Sequence, residues 1–226
     1  MKTRVKKAVG LLSGGLDSTT ALYWARARGF APVALAVRYG QRHVRELWAA
    51  RAVARRAGAP LHEVALTLPW LGVSSLTNKS MKLPDVPLAK IGRGGIPSTY
   101  VPGRNTMFLA LAASLADSIG AHAIVIGANV LDYSGYPDCR PSFLNAFSKV
   151  AKLGTRAGAE GGTLKVLAPL LRLDKKEIVR LARRVGAPLE LTWSCYAGGA
   201  RPCGACDSCR LREKGFREAG VEDPAP

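Results

Sequence analysis

Short apolar runs closed by glycine or proline alternate along this chain with stretches whose apolar residues recur every three or four positions. Val5 to Leu12 is the first run, and it ends in Ser13-Gly14-Gly15. A helical period then extends from near Asp17 to Arg28, closed by Gly29 and Pro32. Ala31 to Val37 reads as a second buried strand. Val44, Leu47, Trp48, Val53 and Ala54 give the segment from His43 to Ala57 a helical face. Gly58-Ala59-Pro60 stops it, and Leu61 to Leu66 reads as a third strand.

Past that point the pattern fails. Between Pro69 and Gly103, proline, glycine and serine are frequent and no period holds. A connection of that length inside a domain is commonly a lid or binding segment, or else a disordered excursion. A helix follows over Asn105 to Ile119, with Phe108, Leu111, Ala112, Leu115 and Ile119 on one face, then a short strand from Ala123 to Gly127. Ser142 to Leu153 reads as another helix and Leu164 to Leu167 as a fifth strand. The last helix expected begins at Asp174, with Glu177 three residues on as in a capping box, and runs to Gly186 and Pro188. Strands alternating with helices predict an α/β fold, a doubly wound, mostly parallel five-stranded sheet covered on both faces. Residues 1–190 form this domain and residues 191–226 a cysteine-bearing appendage.

Composition narrows the class. A chain of 226 residues that is 48% hydrophobic can bury a core, which argues against disorder and against a disulfide-stapled miniprotein. No run approaches the roughly 18 apolar residues of a membrane span. Met1 to Lys7 leads into a strand without a signal peptide's apolar region, so a soluble, cytoplasmic protein is expected. Thirty-three basic against sixteen acidic side chains give a net charge of +17, which favours anionic partners. The arginines are scattered, however, and a basic total without a basic cluster is weak evidence for nucleic-acid binding.

Two segments carry chemistry. Ser13-Gly14-Gly15-Leu16-Asp17-Ser18-Thr19 lies between the end of a strand and the start of a helix, where an open α/β sheet places its ligand. Glycines there allow a tight turn that brings N–H groups close to an anion, and the helix dipole favours a phosphate. Ser13, Ser18 and Thr19 add hydroxyls, and Asp17 is placed to hold a magnesium ion with the nucleotide. The string lacks the lysine of a P-loop. It resembles instead the pyrophosphatase loop of enzymes that split ATP between the α- and β-phosphates. Leu12, Ser13, Gly14, Gly15, Leu16, Asp17, Ser18, Thr19 and Thr20 are the candidate ATP-binding residues, with Ser13, Asp17 and Ser18 catalytic.

The second segment holds four of the five cysteines, Cys195, Cys203, Cys206 and Cys209, in the pattern C-x7-C-x2-C-x2-C, with glycines at 198, 199 and 204. Four thiolates at such spacing can enclose a tetrahedral zinc ion with no open position, a structural site of one ion per chain. An iron–sulfur cluster competes, since thiolates alone do not exclude it. The fifth, Cys139, invites a nucleophilic role beside Arg140, but free cysteines are often buried packing residues.

The connecting strings are more specific. Tyr39-Gly40-Gln41-Arg42-His43, Val101-Pro102-Gly103-Arg104-Asn105, Asp132-Tyr133-Ser134-Gly135-Tyr136-Pro137-Asp138-Cys139-Arg140 and Thr192-Trp193-Ser194-Cys195-Tyr196 together resemble the 7-cyano-7-deazaguanine synthase family over residues 5 to about 216. The resemblance implies an adenine nucleotide alpha hydrolase-like fold and a zinc-bearing homodimer. It also implies conversion of 7-carboxy-7-deazaguanine, ammonia and ATP to 7-cyano-7-deazaguanine on the way to queuosine or archaeosine. Tyr39, Gln41, Arg42, Arg104, Asn105, Asp132, Tyr133, Tyr136, Asp138 and Arg140 become candidate substrate-binding residues. Asn105 serves equally well as a helix cap, and His43 as the plain start of a helix. No membrane or stable nucleic-acid complex is expected. Two other readings stay open: a tRNA-thiolating enzyme sharing the ATP loop, and a zinc-ribbon nucleic-acid-binding protein.

Overall fold

The computed structural model describes residues 5–131 and 135–224. Strand β1 (Lys7–Leu11) feeds helix α1 (Leu16–Ala27), and β2 (Ala31–Arg38), α2 (Arg45–Ala57) and β3 (Leu61–Ala65) continue outward on one side. The chain then returns through α3 (Arg104–Ile119) to β4 (Ala123–Val125) on the opposite side of β1. Helices α4 (Pro141–Leu153) and α5 (Arg156–Ala159), strand β5 (Lys165–Leu167), and helices α6 (Lys175–Arg184) and α7 (Asp207–Ala219) complete it. The five strands pair in the order β3-β2-β1-β4-β5, every pair parallel. Val9, Ala34 and Ile124 on the central strands are sealed from solvent, as continuous apolar strands buried on both faces should be.

Each face has its own core. Leu12, Leu22, Val53, Ile178 and Phe216 gather on one side, and Val9, Leu109, Ala112, Ile124 and Phe147 on the other. Because β1 leads one way and β4 lies the other way, a crevice opens beyond their carboxyl ends, where this fold class binds ligands.

Residues 69–103 contain two short 3-10 turns, Pro69–Val73 and Leu88–Lys90, and are tied down. Ser74, Ser75 and Thr99 are buried, and Ser75 N–H donates to Ser98 O at 2.8 Å. The Asp174–Glu177 capping box forms in both directions at 2.8 Å. Helix α7 and the single-turn α5 are the helices that periodicity does not predict. Helix α7 is the larger. It packs along α6 and sends Phe216 into the first core. Its amino end begins inside the cysteine cluster, and Gly215 lies in its interior.

Candidate active site

A cavity of about 250 Å³ occupies the crevice beyond β1, β2 and β4. Its first end is the turn after β1. Gly14 adopts φ +83°, and a Cβ there would lie 2.4 Å from Ala50 N and 2.5 Å from Glu46 O, so only glycine closes the turn against α2. On the other side, a Cβ at Gly127 would lie 2.9 Å from Asp17 C and Ser18 N. Ser18 Oγ accepts from Ser13 N–H at 3.2 Å and sits 3.0 Å from Ser13 Oγ. Gly15 caps α1 without a side chain. The first-turn amides of the helix are thus left to an anion, which the helix dipole also attracts.

Asp17 does not stand alone in that turn. Lys175 Nζ, from the first residue of α6, donates to both of its carboxylate oxygens at 2.9 Å. The lysine is 8% exposed. Its stem passes over Gly215 of α7, where a Cβ would come within 2.4 Å of Lys175 Cγ. The cation absent from the loop is therefore delivered from the far end of the chain.

The second end of the cavity is aromatic. Tyr39 meets Phe108 edge-on, with centroids 5.3 Å apart at 64°. Burial raises the pKa of Tyr39 and of Tyr136, and the neighbouring Arg104 opposes both shifts. The Tyr136 hydroxyl lies 2.6 Å from Thr99 Oγ1. Burial pushes the Glu46 carboxyl up to about 7 against the pull of Arg104. Burial likewise pushes the Cys139 thiol up to about 11, so it is a neutral wall of the cavity at pH 7.

Beside the loop lies the cysteine cluster. The four Sγ atoms lie within 4.8 Å of one another, and Cys203 Sγ is 4.0 Å from Cys209 Sγ. Sulfurs placed tetrahedrally about a zinc ion are about 3.8 Å apart, so the donor set fits a metal ion. The N–H groups of Cys203 and Cys206 donate to Cys195 Sγ and Cys203 Sγ at 3.3 and 3.4 Å, which favours thiolates. All five cysteines are free of disulfides. Trp193 joins the two sites: its N–H donates to Gly14 O at 3.0 Å and its indole N–H to Cys195 O at 2.8 Å.

A profile of the family described as Queuosine biosynthesis protein QueC matches residues 7–220. The chain is 54% identical over 218 residues to the 7-cyano-7-deazaguanine synthase of Synechococcus elongatus (strain ATCC 33912 / PCC 7942 / FACHB-805), covering 96% of this chain and 93% of that one. It is 52% identical over 220 residues to the protein of the same name from Desulfitobacterium hafniense (strain DSM 10664 / DCB-2), covering 97% and 92%. The corresponding protein of Anaeromyxobacter dehalogenans (strain 2CP-C) is 51% identical over 224 residues, covering 98% and 96%. The chain belongs to the QueC family.

The strings behind the family resemblance converge on this cavity, though not every nominated residue does. Leu12, Ser13, Gly15, Leu16, Asp17 and Ser18 line it, as do Tyr39, Gln41, Arg42, Arg104, Asn105 and Tyr136. Thr19 and Thr20 turn into the core, because the helical period carries them away from the loop. Thr20 Oγ1 donates to Leu16 O at 2.7 Å, and Thr19 Oγ1 is buried without a partner among the described residues. Gly14 shapes the turn without lining the cavity.

At the second end, several of the nominated side chains are already engaged within the fold. Asp138 is buried as the cap of α3, its Oδ2 accepting from Asn105 N–H at 2.9 Å, and it does not line the cavity. Asn105 is thus capped by another residue, and its own amide donates to Asp138 O at 3.1 Å and Cys139 Sγ at 3.2 Å. The Arg42 guanidinium grips the loop carbonyls of Ser75 (3.0 Å), Asn78 (3.3 Å), Lys79 (3.3 Å) and Met81 (2.8 Å). Arg140 is exposed and outside the cavity lining. Asp132 and Tyr133 lie outside the described residues.

Sequence reasoning missed Lys175 and Glu46. Lys175 sits directly after the Asp174 cap, and the legible capping box gives no sign that the next side chain points inward. Glu46 reads as an ordinary charge in the first turn of a helix.

Proposed function

We propose that this cavity converts 7-carboxy-7-deazaguanine, ammonia and ATP to 7-cyano-7-deazaguanine. The single observation carrying the reading is the uncapped amino end of α1, with the Asp17–Lys175 pair beside it, opening into a crevice lined by aromatic side chains. The amides of the loop and Lys175 bind the departing pyrophosphate, and Ser13 and Ser18 orient the phosphates by their hydroxyls. Asp17 would hold a magnesium ion with the nucleotide, which supplies charge neutralisation.

The chemistry then needs positioning more than a nucleophilic side chain. A carboxylate is a poor electrophile. Its oxygen attacks the α-phosphorus, pyrophosphate leaves, and ammonia displaces AMP to give the amide. The amide oxygen is adenylated in a second round, and loss of AMP with the nitrogen's two protons leaves the nitrile. Two ATP molecules become two AMP and two pyrophosphate. The sulfur-transfer alternative finds little support, since Cys139 is buried as a neutral thiol and the other four cysteines are clustered.

Cys195, Cys203, Cys206 and Cys209 would hold zinc in a closed site that tethers residues 191–226 to the loop through Trp193 and leaves no position for reacting water. A cytoplasmic homodimer belongs to the same reading. Among the described residues no helix is long and apolar enough to cross a membrane. The test is incubation of the protein with 7-carboxy-7-deazaguanine, ammonium and magnesium-ATP. Mass spectrometry should find amide and then nitrile, with AMP and pyrophosphate as co-products. Release of ADP, or absence of both products, would overturn it.

A further inference from the structure

Among the described residues two acidic side chains line the cavity, Asp17 and Glu46. Asp17 is held by Lys175 on both oxygens. Glu46, in the first turn of α2, has no hydrogen bond or ion pair with a described residue, and Arg104 acts on it only as a nearby charge. Other polar groups of this end are already engaged. Gln41 Oε1 accepts from Tyr39 N–H at 2.8 Å, the Asn105 amide serves Asp138 and Cys139, and Asp138 caps α3. A half-buried carboxyl that faces the cavity without protein donors is left for a ligand that supplies them.

The substrate of the reading above offers such donors. A 2-amino-4-oxo heterocycle presents a ring N–H and an exocyclic amino group side by side, and the two oxygens of one carboxylate can accept from both. We propose that Glu46 reads this amino edge and sets the preference for a deazaguanine over a ring lacking the 2-amino group. The inference rests on the proposed substrate and assigns the recognition of its amino edge to Glu46, a residue outside the candidates of the family resemblance. Tyr39, Phe108 and Tyr136 supply the apolar surroundings in which losing one such hydrogen bond is felt most.

The experiment compares kcat/KM for 7-carboxy-7-deazaguanine with that for its analogue lacking the 2-amino group. Both are measured with metal-loaded full-length protein at saturating magnesium-ATP, for the wild type and Glu46→Gln. The wild type should prefer the parent compound by about 10³-fold or more, as sites built around a substrate N–H do. In Glu46→Gln the parent should lose most of that advantage, while the analogue changes by less than about 3-fold and KM for ATP is unmoved. A wild type that treats both compounds alike overturns the inference without any variant, as does an equal loss on both compounds in Glu46→Gln, which a proton-transfer or structural role would give. If the wild type converts neither compound, the proposed reaction itself falls and the inference with it.

Discussion

At the loop end of the cavity, the stretch from Ser13 to Ser18 contributes the first-turn amides of α1 and two hydroxyls, held in place by Gly14 and Gly127. At the aromatic end, Tyr39, Glu46, Arg104, Asn105 and Tyr136 arrive from three separate stretches of chain. A site made of backbone is fixed by the turn that forms it. A site made of side chains from distant segments must first hold those segments together, and that task occupies Arg42, Asn105 and Asp138 before any ligand arrives. Glu46 is the carboxyl of this end that no such task occupies.

The sharpest blow to the loop end would be Lys175→Met, which keeps the apolar stem over Gly215 and deletes the charge. Turnover measured by pyrophosphate release should fall by about 10²–10³-fold, the usual loss when one donor to developing phosphate charge is removed. Thermal stability should change little by comparison. Activity within a few-fold of wild type would make the Lys175–Asp17 pair a structural tie only, and the contrast between the two ends would lose its catalytic meaning.

At the aromatic end the expected effect is on stability. Glu46 has a folded-state pKa raised to about 7 by burial, above the ordinary carboxylate value it regains on unfolding. The folded state therefore binds more protons between these values, and stability falls as pH rises through that window. Urea denaturation of the ligand-free protein should show wild type losing ground to Glu46→Gln between pH 5 and pH 8, by roughly 2 kcal/mol. A pH-independent difference would mean that the carboxyl is solvated, and the second end of the cavity would then be wetter than its lining suggests.

The smallest effect is expected at Cys139. Its thiol, raised to about 11 by burial, is protonated at neutral pH; it forms part of the cavity wall and accepts from the Asn105 amide. Cys139→Ser should retain kcat within about 3-fold, since conservative changes away from reacting atoms cost little. Alkylation below about pH 9 should be slow, because the thiolate is the nucleophile. Loss of activity comparable with that of Lys175→Met would restore covalent chemistry to the aromatic end.

How far the sequence could be read follows the same division. The strands and most helices declared themselves because each signal is local: α2 stops at Gly58, and α6 starts at the Asp174 cap. The loop and the four cysteines were legible as short strings for the same reason. Within the loop, the string did not tell which residues face outward, and Thr19 and Thr20 were assigned to the ligand although helix geometry buries them. Lys175 and Asp17 are 158 positions apart, and no local pattern records that they meet. Asp138 reads in the sequence as a substrate-binding carboxylate, whereas in the fold its Oδ2 caps α3.

Trp193 gives the cysteine cluster a practical significance. One peptide N–H links the strand-end turn to the segment bearing Cys195, so a metal ion held by the four thiolates would act as a rivet under that turn. Specific activity per milligram of purified protein would then become a readout of metal loading, and preparations would be comparable only after their metal content had been assayed.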